Sequence, residues 1–432
     1  MAVRLARRPA PPASMVIRGA RVLDPVAGID EVRELVIRDG LIGGDPEGLE
    51  VVDGAGCIAV PGFVDPHVHL RVPGRDDLED VATGSLAGAA GGFVTIVAMP
   101  NTTPVVDTAA VLESLLEQAA ATAAIRTGFY AAITVGQRGA ELTEQAELTA
   151  LGAVGFSDDG YPVSDAQVMR RALQYQRITG RPLVLHEEDA RLSAGGVAHE
   201  GPVADRLGLR GIPGISEAVA VARDAALTGH EDGWIHICHV SSSATVAEIR
   251  QAKARGVRIT GEVSPHHLTL TDERVTTLDP ARYKMNPPLR EEEDRQALIA
   301  ALADGTLDCI ATDHAPHAMD EKEVPFAEAP FGITGLETAF AVVNTHLVRT
   351  GALPLDLVVR RMGADAAAVV GLPAPSLADG AVADVALIAP DETFVVGEGG
   401  YRSKSSNSAW AGEELHGVVR LTVADGSVAW RR

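Results

Sequence analysis

The chain has 432 residues, 46% of them hydrophobic and 4% aromatic, so it can bury a large core built mainly from small aliphatic side chains. The net charge is −22 at pH 7, and no basic run exists outside Arg4 to Arg8, which argues against a nucleic-acid partner. Cys57, Cys238 and Cys309 lie too far apart for a disulfide framework or a zinc ribbon, which favours a reducing, cytoplasmic setting.

Both ends of the chain are predicted to be β-structure. Residues 1–13 are expected to be a disordered lead-in, and no signal peptide is predicted because arginines and prolines interrupt them. Residues 15–60 contain short β-branched runs separated by Gly and Asp turns, typical of a small antiparallel unit, and residues 383–430 repeat the pattern. The two ends are therefore predicted to form one small β-sandwich domain, with the middle of the chain inserted between them.

The middle of the chain alternates apolar runs with Ala- and Leu-rich stretches of helical spacing. The candidate strands are residues 62–69, 92–99, 127–134, 153–158, 182–186, 233–240, 257–263 and 307–313. Eight β-then-α units in about 250 residues predict a (β/α)8 barrel, which makes the fold class α/β. The predicted domains are the first part of the sandwich at 1–61, the barrel at 62–365 and the second part of the sandwich at 366–432.

Residues 81–106 carry no charge and are long enough to raise the question of a membrane helix. Glycines, prolines and polar residues interrupt this stretch, so a buried helix followed by a buried strand is predicted instead. No membrane partner is expected.

A candidate metal-binding segment lies at residues 61–71, with the sequence Pro-Gly-Phe-Val-Asp-Pro-His-Val-His-Leu-Arg. If this run is extended, Asp65, His67, His69 and Arg71 share one face, with i, i+2 neighbours about 6.6 Å apart. Two imidazoles and a carboxylate beside a guanidinium suit a metal with an anion binder next to it. A bare His-x-His is more often a packed or surface pair, but Pro-Gly pairs on both sides indicate a short strand here.

Other polar residues fall at the carboxyl ends of the candidate strands, where barrel enzymes place their active sites. These residues are His67, His69, Asn101, Asp158, Asp159, His186, His239 and Asp313. Imidazoles and carboxylates from separate segments predict a binuclear site for borderline metals such as zinc.

Several of these assignments have alternatives. Alternation allows only one of His236 and His239 to be a ligand, and His239 is preferred because it is nearer the strand end. Periodicity does not decide between Asp158 and Asp159. His266 and His267 are interpreted as supporting or helix-start residues, and His199, His230, His346 and His416 as incidental.

With these residues considered, the sequence resembles the bacterial dihydroorotases of the amidohydrolase superfamily over residues 15–432. The segments that carry the resemblance are Asp65-Pro66-His67-Val68-His69-Leu70-Arg71, Met99-Pro100-Asn101-Thr102, Phe156-Ser157-Asp158-Asp159-Gly160, Ser264-Pro265-His266-His267-Leu268, Met285-Asn286-Pro287-Pro288-Leu289-Arg290, Ala311-Thr312-Asp313-His314-Ala315-Pro316-His317 and Pro330-Phe331-Gly332-Ile333. His-x-His alone indicates only the superfamily, whereas the segments at 286–290 and 313–317 are much narrower.

The resemblance implies two zinc ions per chain. It assigns His67 and His69 to one ion, His186 and His239 to the other, and Asp313 to the first ion and to catalytic proton transfer. Many relatives bridge the ions with a carboxylated lysine, but this chain has no lysine near its fourth strand. Its Asp-Asp-Gly resembles the branch in which the aspartate before the glycine bridges, which selects Asp159 and implies that the second ion is held less firmly.

The implied reaction is the reversible, metal-dependent hydrolysis of the cyclic amide of (S)-dihydroorotate to N-carbamoyl-L-aspartate, a step of pyrimidine biosynthesis. The resemblance implies that Arg71, Asn101 and His317 bind the substrate carboxylate, that Asn286, Phe331 and Gly332 bind the ring amide, and that His69 contacts substrate. The alternatives are a hydantoinase or allantoinase, whose substrates lack the ring carboxylate, and an inactive structural partner of aspartate transcarbamoylase. A homo-oligomer and an association with that transcarbamoylase are the partners considered.

Overall fold

The computed structural model describes residues 3–276 and 281–432 and has mixed α/β content. The strands, in chain order, are β1 (Met15–Arg18), β2 (Arg21–Asp24), β3 (Ile29–Val32), β4 (Leu35–Arg38), β5 (Leu41–Ile42), β6 (Glu50–Asp53), β7 (Ile58–Pro61), β8 (Phe63–Val68), β9 (Phe93–Ala98), β10 (Arg126–Phe129), β11 (Leu183–Leu185), β12 (Ala198–His199), β13 (Gly211–Ile212), β14 (Ile235–Ile237), β15 (Ile259–Val263), β16 (Cys309–Ile310), β17 (Val385–Val395), β18 (Glu414–Ala424) and β19 (Ser427–Arg431). The α-helices are α1 (Val81–Ala90), α2 (Ala109–Thr122), α3 (Gln145–Leu151), α4 (Ala166–Thr179), α5 (Pro202–Leu207), α6 (Ile215–Glu231), α7 (Ser243–Ala254), α8 (Pro265–Thr269), α9 (Glu292–Asp304), α10 (Met319–Lys322), α11 (Ala339–Val343), α12 (Leu355–Met362) and α13 (Ala364–Ala368).

Parallel pairings connect eight segments of the middle of the chain into a closed ring. One run of the ring is β8–β9–β10, and the other is β11–β14–β15–β16. Parallel bridges from Ala131 to Phe156 and from Phe156 to Leu183 join these runs on one side, and a bridge from Val68 to His314 joins them on the other. The fourth predicted strand is therefore present only as a bridge at Phe156, and the others are shorter than predicted.

Several helices between these strands begin or end at residues that are favourable helix caps. Asp80 caps α1 by accepting from the Thr83 backbone N–H, and Ser242 caps α7 in the same way. Asp165 caps α4, which ends at Gly180 in a left-handed conformation. The helices predicted within 165–178, 243–254 and 291–303 are confirmed to within one or two residues.

The two ends of the chain form two further sheets. One has the order β5–β4–β1–β6, and the other has the order β19–β18–β17–β7–β2–β3, so it combines both ends of the chain. A hydrophobic cluster that includes Ile17 and Ile37 from the first sheet and Val385 and Leu421 from the second lies between them. The predicted antiparallel unit is confirmed only in part. The pairs β1–β4, β2–β3 and β4–β5 are antiparallel, but β1 pairs with β6 and β2 with β7 in parallel.

The ring is joined closely to these sheets. A single residue, Gly62, separates β7 from β8, and a Cβ atom there would lie 2.1 Å from Val94 Cγ1. Any larger residue would push apart the first two strands of the ring at the point where the chain enters it.

The expectation of a disordered lead-in is wrong for residues 3–13. Ala6 exchanges both backbone hydrogen bonds with Thr127, at 3.0 and 2.9 Å, and the Ala13 N–H donates to the Gly426 carbonyl. The arginines and prolines of this segment do not prevent it from pairing along the edge of β10.

The uncharged stretch at 81–106 forms the buried helix α1 and the buried strand β9, as predicted. Over residues 3–276 and 281–432, no helix combines the length and the apolar character that a membrane crossing requires.

Candidate metal centre and active site

The predicted ligands converge at the carboxyl ends of the ring strands, around the Asp159 carboxylate. Asp159 Oδ1 lies 3.7 Å from His67 Nε2, 3.7 Å from His186 Nδ1 and 3.9 Å from His239 Nε2. Asp159 Oδ2 lies 3.6 Å from His69 Nε2. One carboxylate therefore faces all four imidazoles, which come from three different strand ends.

Asp313 approaches the cluster from the last strand of the ring. Its Oδ1 lies 3.2 Å from His69 Nε2 and 3.5 Å from His67 Nε2. Burial alone would raise the pKa of Asp313, but the hydrogen bond to His69 and the neighbouring imidazoles outweigh burial and lower it. Both oxygens are thus available as acceptors at neutral pH.

The donor set fits a divalent metal. Within the described part of the chain, His67 Nε2 and Asp159 Oδ1 face each other across the cluster, are buried and have no hydrogen-bond partner. Such atoms are costly unless something binds them. Two ligands about 2.1 Å from one tetrahedral ion lie about 3.4 Å apart, and His186 Nδ1 and His239 Nε2 are 3.0 Å apart. Two groups, His67–Asp159–His239 and His67–His69–Asp313, bring their ligand atoms close enough to share an ion.

The backbone at this edge of the ring is strained. Arg71, His239 and Asp313 have positive φ values of 61°, 31° and 50°. Each non-glycine residue in this region costs on the order of 1–3 kcal/mol. The strain therefore falls on residues predicted to bind metal or substrate.

Glu262 on β15 supports the cluster and was missed in the sequence. Its Oε1 accepts from His67 Nδ1–H at 2.6 Å, and its Oε2 accepts from His236 Nε2–H at 3.0 Å. Burial alone would raise its pKa, but the two histidines lower the pKa to about 2. The one available signal was a charged residue inside the buried run Ile-Thr-Gly-Glu-Val.

Asn101 links two predicted ligands. Its Oδ1 lies 2.9 Å from His69 Nδ1, and its Nδ2 donates to Asp159 Oδ2 at 3.1 Å. The His69 Nδ1–H can therefore donate to the amide, which leaves His69 Nε2 free to face Asp313.

A cavity of about 180 Å³ opens beside the cluster. Its lining consists of His69, Arg71, Asn101, Asp159, Gly160, His186, His239, Asn286, Asp313, Ala315, Phe331 and Gly332. Apart from His67, which lies beneath the other ligands, and His317, the predicted metal and substrate residues all face this cavity.

The Arg71 guanidinium is the cavity's cation. Arg71 Nε donates to the Pro316 carbonyl at 3.0 Å, and Nη2 lies 3.1 Å from His317 Nε2. Burial lowers the pKa of Arg71 to about 10, so it stays charged at neutral pH. Burial and the Arg71 charge lower the pKa of His317 to about 3, so His317 is neutral.

The opposite side of the cavity carries Asn286 and the loop at 331–332. Asn286 Nδ2 donates to Glu188 Oε2 at 2.9 Å, while its buried Oδ1 has no partner among the residues described. The Gly332 N–H donates to the Lys284 carbonyl, and a Cβ at Gly332 would lie 2.6 Å from Ala315 Cβ. Gly332 thus keeps this wall close to the cavity.

Asp65 and Asp158 support the backbone outside the cluster. The Asp65 carboxylate accepts from the Thr312 N–H at 3.2 Å, so it does not share a metal-facing side with His67 and His69. Asp158 accepts from the Ile133 and Thr134 N–H groups at 2.8 and 3.1 Å. Of the adjacent aspartates, only Asp159 faces the histidines.

The remaining histidines lie as follows. Both ring nitrogens of His236 have partners outside the predicted ligands, Nδ1 with Thr260 Oγ1 at 2.8 Å and Nε2 with Glu262 Oε2 at 3.0 Å. His267 Nε2–H donates to the Pro287 carbonyl at 3.0 Å, whereas His266 Nε2 is buried and has no partner in the described ranges. His199 was considered incidental, but its Nδ1 lies 3.0 Å from Arg290 Nη1.

A ring of parallel strands, with imidazoles and carboxylates gathered at its carboxyl edge around space for a cation, defines a metal-dependent hydrolase of the amidohydrolase class. A sequence model described as Dihydro-orotase-like matches residues 56–245. A dihydroorotase from Anaeromyxobacter dehalogenans (strain 2CP-1) is 49% identical, covering 96% of this chain and 97% of that protein. One from Pelobacter propionicus is 44% identical, covering 97% and 100%. The chain belongs to the dihydroorotase family.

Solved structures with the same fold extend over nearly the whole chain. L-hydantoinase (dihydropyrimidinase) from Arthrobacter aurescens has a TM-score of 0.85 and 25% identity, covering 96% of this chain and 95% of that one. Dihydropyrimidinase from Brevibacillus agri has a TM-score of 0.82 and 23% identity, covering 97% and 95%. These likenesses support the α/β fold class.

Proposed function

We propose that this protein is a dihydroorotase that hydrolyses the cyclic amide of (S)-dihydroorotate reversibly to N-carbamoyl-L-aspartate, a step of pyrimidine biosynthesis. The observation that carries the proposal is the placement of a partly buried, charged Arg71 in the same cavity as the His–Asp cluster. A cation beside the reacting centre suits a cyclic amide that carries a carboxylate.

The same proposal divides the chain into a (β/α)8 barrel at 62–365 and a β-sandwich domain formed by 1–61 and 366–432. The closed ring of parallel pairings supports the barrel, and the hydrophobic cluster between the two terminal sheets supports the sandwich.

The metal site is proposed to hold two zinc ions. His67, His69 and Asp313 would hold one ion, and His186 and His239 the other, with Asp159 bridging because its two oxygens face both groups. A carboxylate bridge is shorter than a carboxylated lysine, so the second ion is proposed to be the more weakly held. When bound, divalent ions supply acidification of a water molecule and polarisation of the amide carbonyl.

In this proposal, Asp313 moves the proton. Its carboxylate accepts a proton from the attacking water and delivers it to the ring nitrogen as the amide bond breaks. The left-handed backbone of Asp313 and its contact with His69 hold the carboxylate at the mouth of the cavity. In the direction of ring closure, the same group takes the proton from the carbamoyl nitrogen.

The substrate is proposed to lie between Arg71 and Asn286. Arg71, with Asn101 and His317 beside it, would bind the carboxylate through guanidinium N–H groups. On the other side, the unpartnered Asn286 Oδ1 is an acceptor for a ring N–H. Phe331 and Gly332 would close the wall over the ring, so substrate fixes the reacting carbonyl relative to Asp313.

Two observations weigh against the alternatives. Hydantoinase and allantoinase substrates have no ring carboxylate, so they would offer the Arg71 guanidinium no anionic group to bind. An inactive partner of aspartate transcarbamoylase would not need to keep every predicted ligand, and here the four histidines and both aspartates converge. Association with a transcarbamoylase and a homo-oligomer stay proposals, as does a cytoplasmic setting.

The test is metal content per chain together with dihydroorotate turnover in the wild type, Asp159→Ala and Asp158→Asn. We expect two ions and activity in the wild type, and loss of at least one ion and of activity in Asp159→Ala. Asp158→Asn is the control, because Asp158 binds backbone N–H groups and not the histidines. A metal-free, inactive but well-folded wild type would refute the proposed function.

A further inference from the structure

Glu262 is a buried carboxylate that contacts both halves of the histidine cluster from beneath. It is 1% exposed and lies on β15, a strand that supplies no predicted metal ligand. Besides its bonds to the His67 and His236 rings, its Oε1 accepts from the His239 backbone N–H at 3.2 Å. His67 and His239 are assigned to different ions by the proposed function, so one side chain contacts a proposed ligand of each ion.

The bond to His67 fixes a tautomer. Because Glu262 accepts the proton on His67 Nδ1, a neutral His67 ring carries its lone pair on Nε2, and this atom is the one that faces Asp159 and Asp313. A carboxylate in this position orients an imidazole and makes it a stronger ligand.

The hydrogen bond from the His239 backbone N–H to Glu262 holds the backbone conformation of His239. His239 has a φ of 31°, which a histidine adopts only at a cost, and its N–H is held by the same Glu262 oxygen that holds His67. Loss of that oxygen would free the strained residue to relax and would move its imidazole away from His186.

We propose that Glu262 is a positioning residue that sets the metal affinity of both halves of the cluster at once, through the His67 tautomer and the His239 backbone. This inference rests on the proposed metal-dependent function. Its consequence is that the two ions are lost together when Glu262 is altered.

The experiment compares Glu262→Gln with Thr260→Val. A glutamine has one acceptor oxygen, so its NH₂ group must face one of the three N–H donors that Glu262 accepts from. Thr260→Val keeps the side-chain shape and Glu262 itself, and removes only the contact between Thr260 and His236. Metal binding is measured by competition with a chromophoric zinc chelator, and ligand geometry by the visible absorption spectrum of the cobalt(II)-loaded protein.

We expect Glu262→Gln to bind both ions 10- to 100-fold more weakly than the wild type and to change the cobalt spectrum. Thr260→Val should do neither. Wild-type affinity and spectrum in folded Glu262→Gln, or weakening at one ion alone, would overturn the inference and leave the proposed function intact. A wild type that binds no divalent ion would instead refute the proposed function. If Glu262→Gln does not fold, Glu262→Asp is measured instead, with the same expectations. Aspartate keeps the carboxylate, but its shorter side chain places that carboxylate farther from the three N–H donors.

Discussion

At the scale of single residues, the most distinctive feature of the cavity is the Arg71 guanidinium, a positive charge in an acidic protein. The chain carries a net charge of −22, so an anionic substrate is repelled overall and must be held by local positive charge. Arg71 fits this need because its partly buried guanidinium lies near Asp313 and is oriented by the Pro316 carbonyl. In the proposed function, specificity for a ring carboxylate therefore depends mainly on this side chain.

Arg71→Ala is expected to lower kcat/KM for dihydroorotate by about 100-fold or more, because the substrate carboxylate loses a charged hydrogen-bond partner in a buried site. Steady-state kinetics measure the change. Arg75→Ala is the matched control, since Arg75 lies four residues along the same loop but is exposed and paired with Asp77 and Glu321. Unchanged kinetics in Arg71→Ala would remove the substrate assignment.

The residue scale also shows what could be predicted from the sequence. His67, His69, His186, His239 and Asp313 were found because each comes at or after the end of an apolar run. Alternation did not decide between Asp158 and Asp159, because the fourth segment pairs only at Phe156 and sets no register of its own.

Two other residues could not be placed by pattern alone. Arg71 was expected on an extended face, but its φ of 61° ends the alternation, and its position depends on Pro316 and His317 from the far end of the ring. Glu262 was missed because its role comes from contacts with strands distant in sequence.

At the scale of elements, the segment from α10 to residue 332 is held over the cavity by a buried lysine. Lys322 Nζ donates to the carbonyls of Pro330 and Gly332 at 2.8 and 2.9 Å, and to that of Lys284 at 3.2 Å. Burial, with repulsion from Lys284 and Arg71, lowers the pKa of Lys322 to about 7. The charged form is therefore disfavoured in the folded state and not in the unfolded one.

This pKa gives a signed prediction for Lys322→Met. Between about pH 7 and 10.5 the unfolded chain binds a proton at Lys322 that the folded chain does not, so the wild type gains stability as pH rises. The free energy of unfolding of the wild type, relative to Lys322→Met, should rise by about 1.4 kcal/mol per pH unit in that window. Urea titrations at several pH values measure it.

A pH-independent difference between the wild type and Lys322→Met would contradict the prediction.

At the scale of the whole molecule, the ring and the terminal sheets are joined by a buried ion pair. Asp384, just before β17, pairs with the Arg126 guanidinium on β10 and also accepts from the Asp425 N–H at 2.7 Å. Asp384 is 5% exposed, so this pair is largely removed from water. Removing one partner of such a pair leaves the other charge poorly solvated.

Asp384→Ala is expected to lower the free energy of unfolding by about 3 kcal/mol without changing kcat, because the pair lies at the base of the ring and away from the cavity. Equilibrium urea unfolding and kinetics measure the two quantities. Arg21→Ala breaks an exposed pair with Asp30 and should cost less than about 1 kcal/mol. Equal losses in the two variants would show that the buried pair does not join the two parts.

The ring closes where the first strand meets the last, and this determines when the candidate site becomes complete during synthesis of the chain. The His69 N–H donates to the His314 carbonyl across that seam, and the ligands on its two sides are 244 residues apart in sequence. In the proposed function a cation is bound by both sides, so metal loading and closure of the ring would reinforce each other. On a growing polypeptide the ion would have no complete binding site until the eighth strand has emerged.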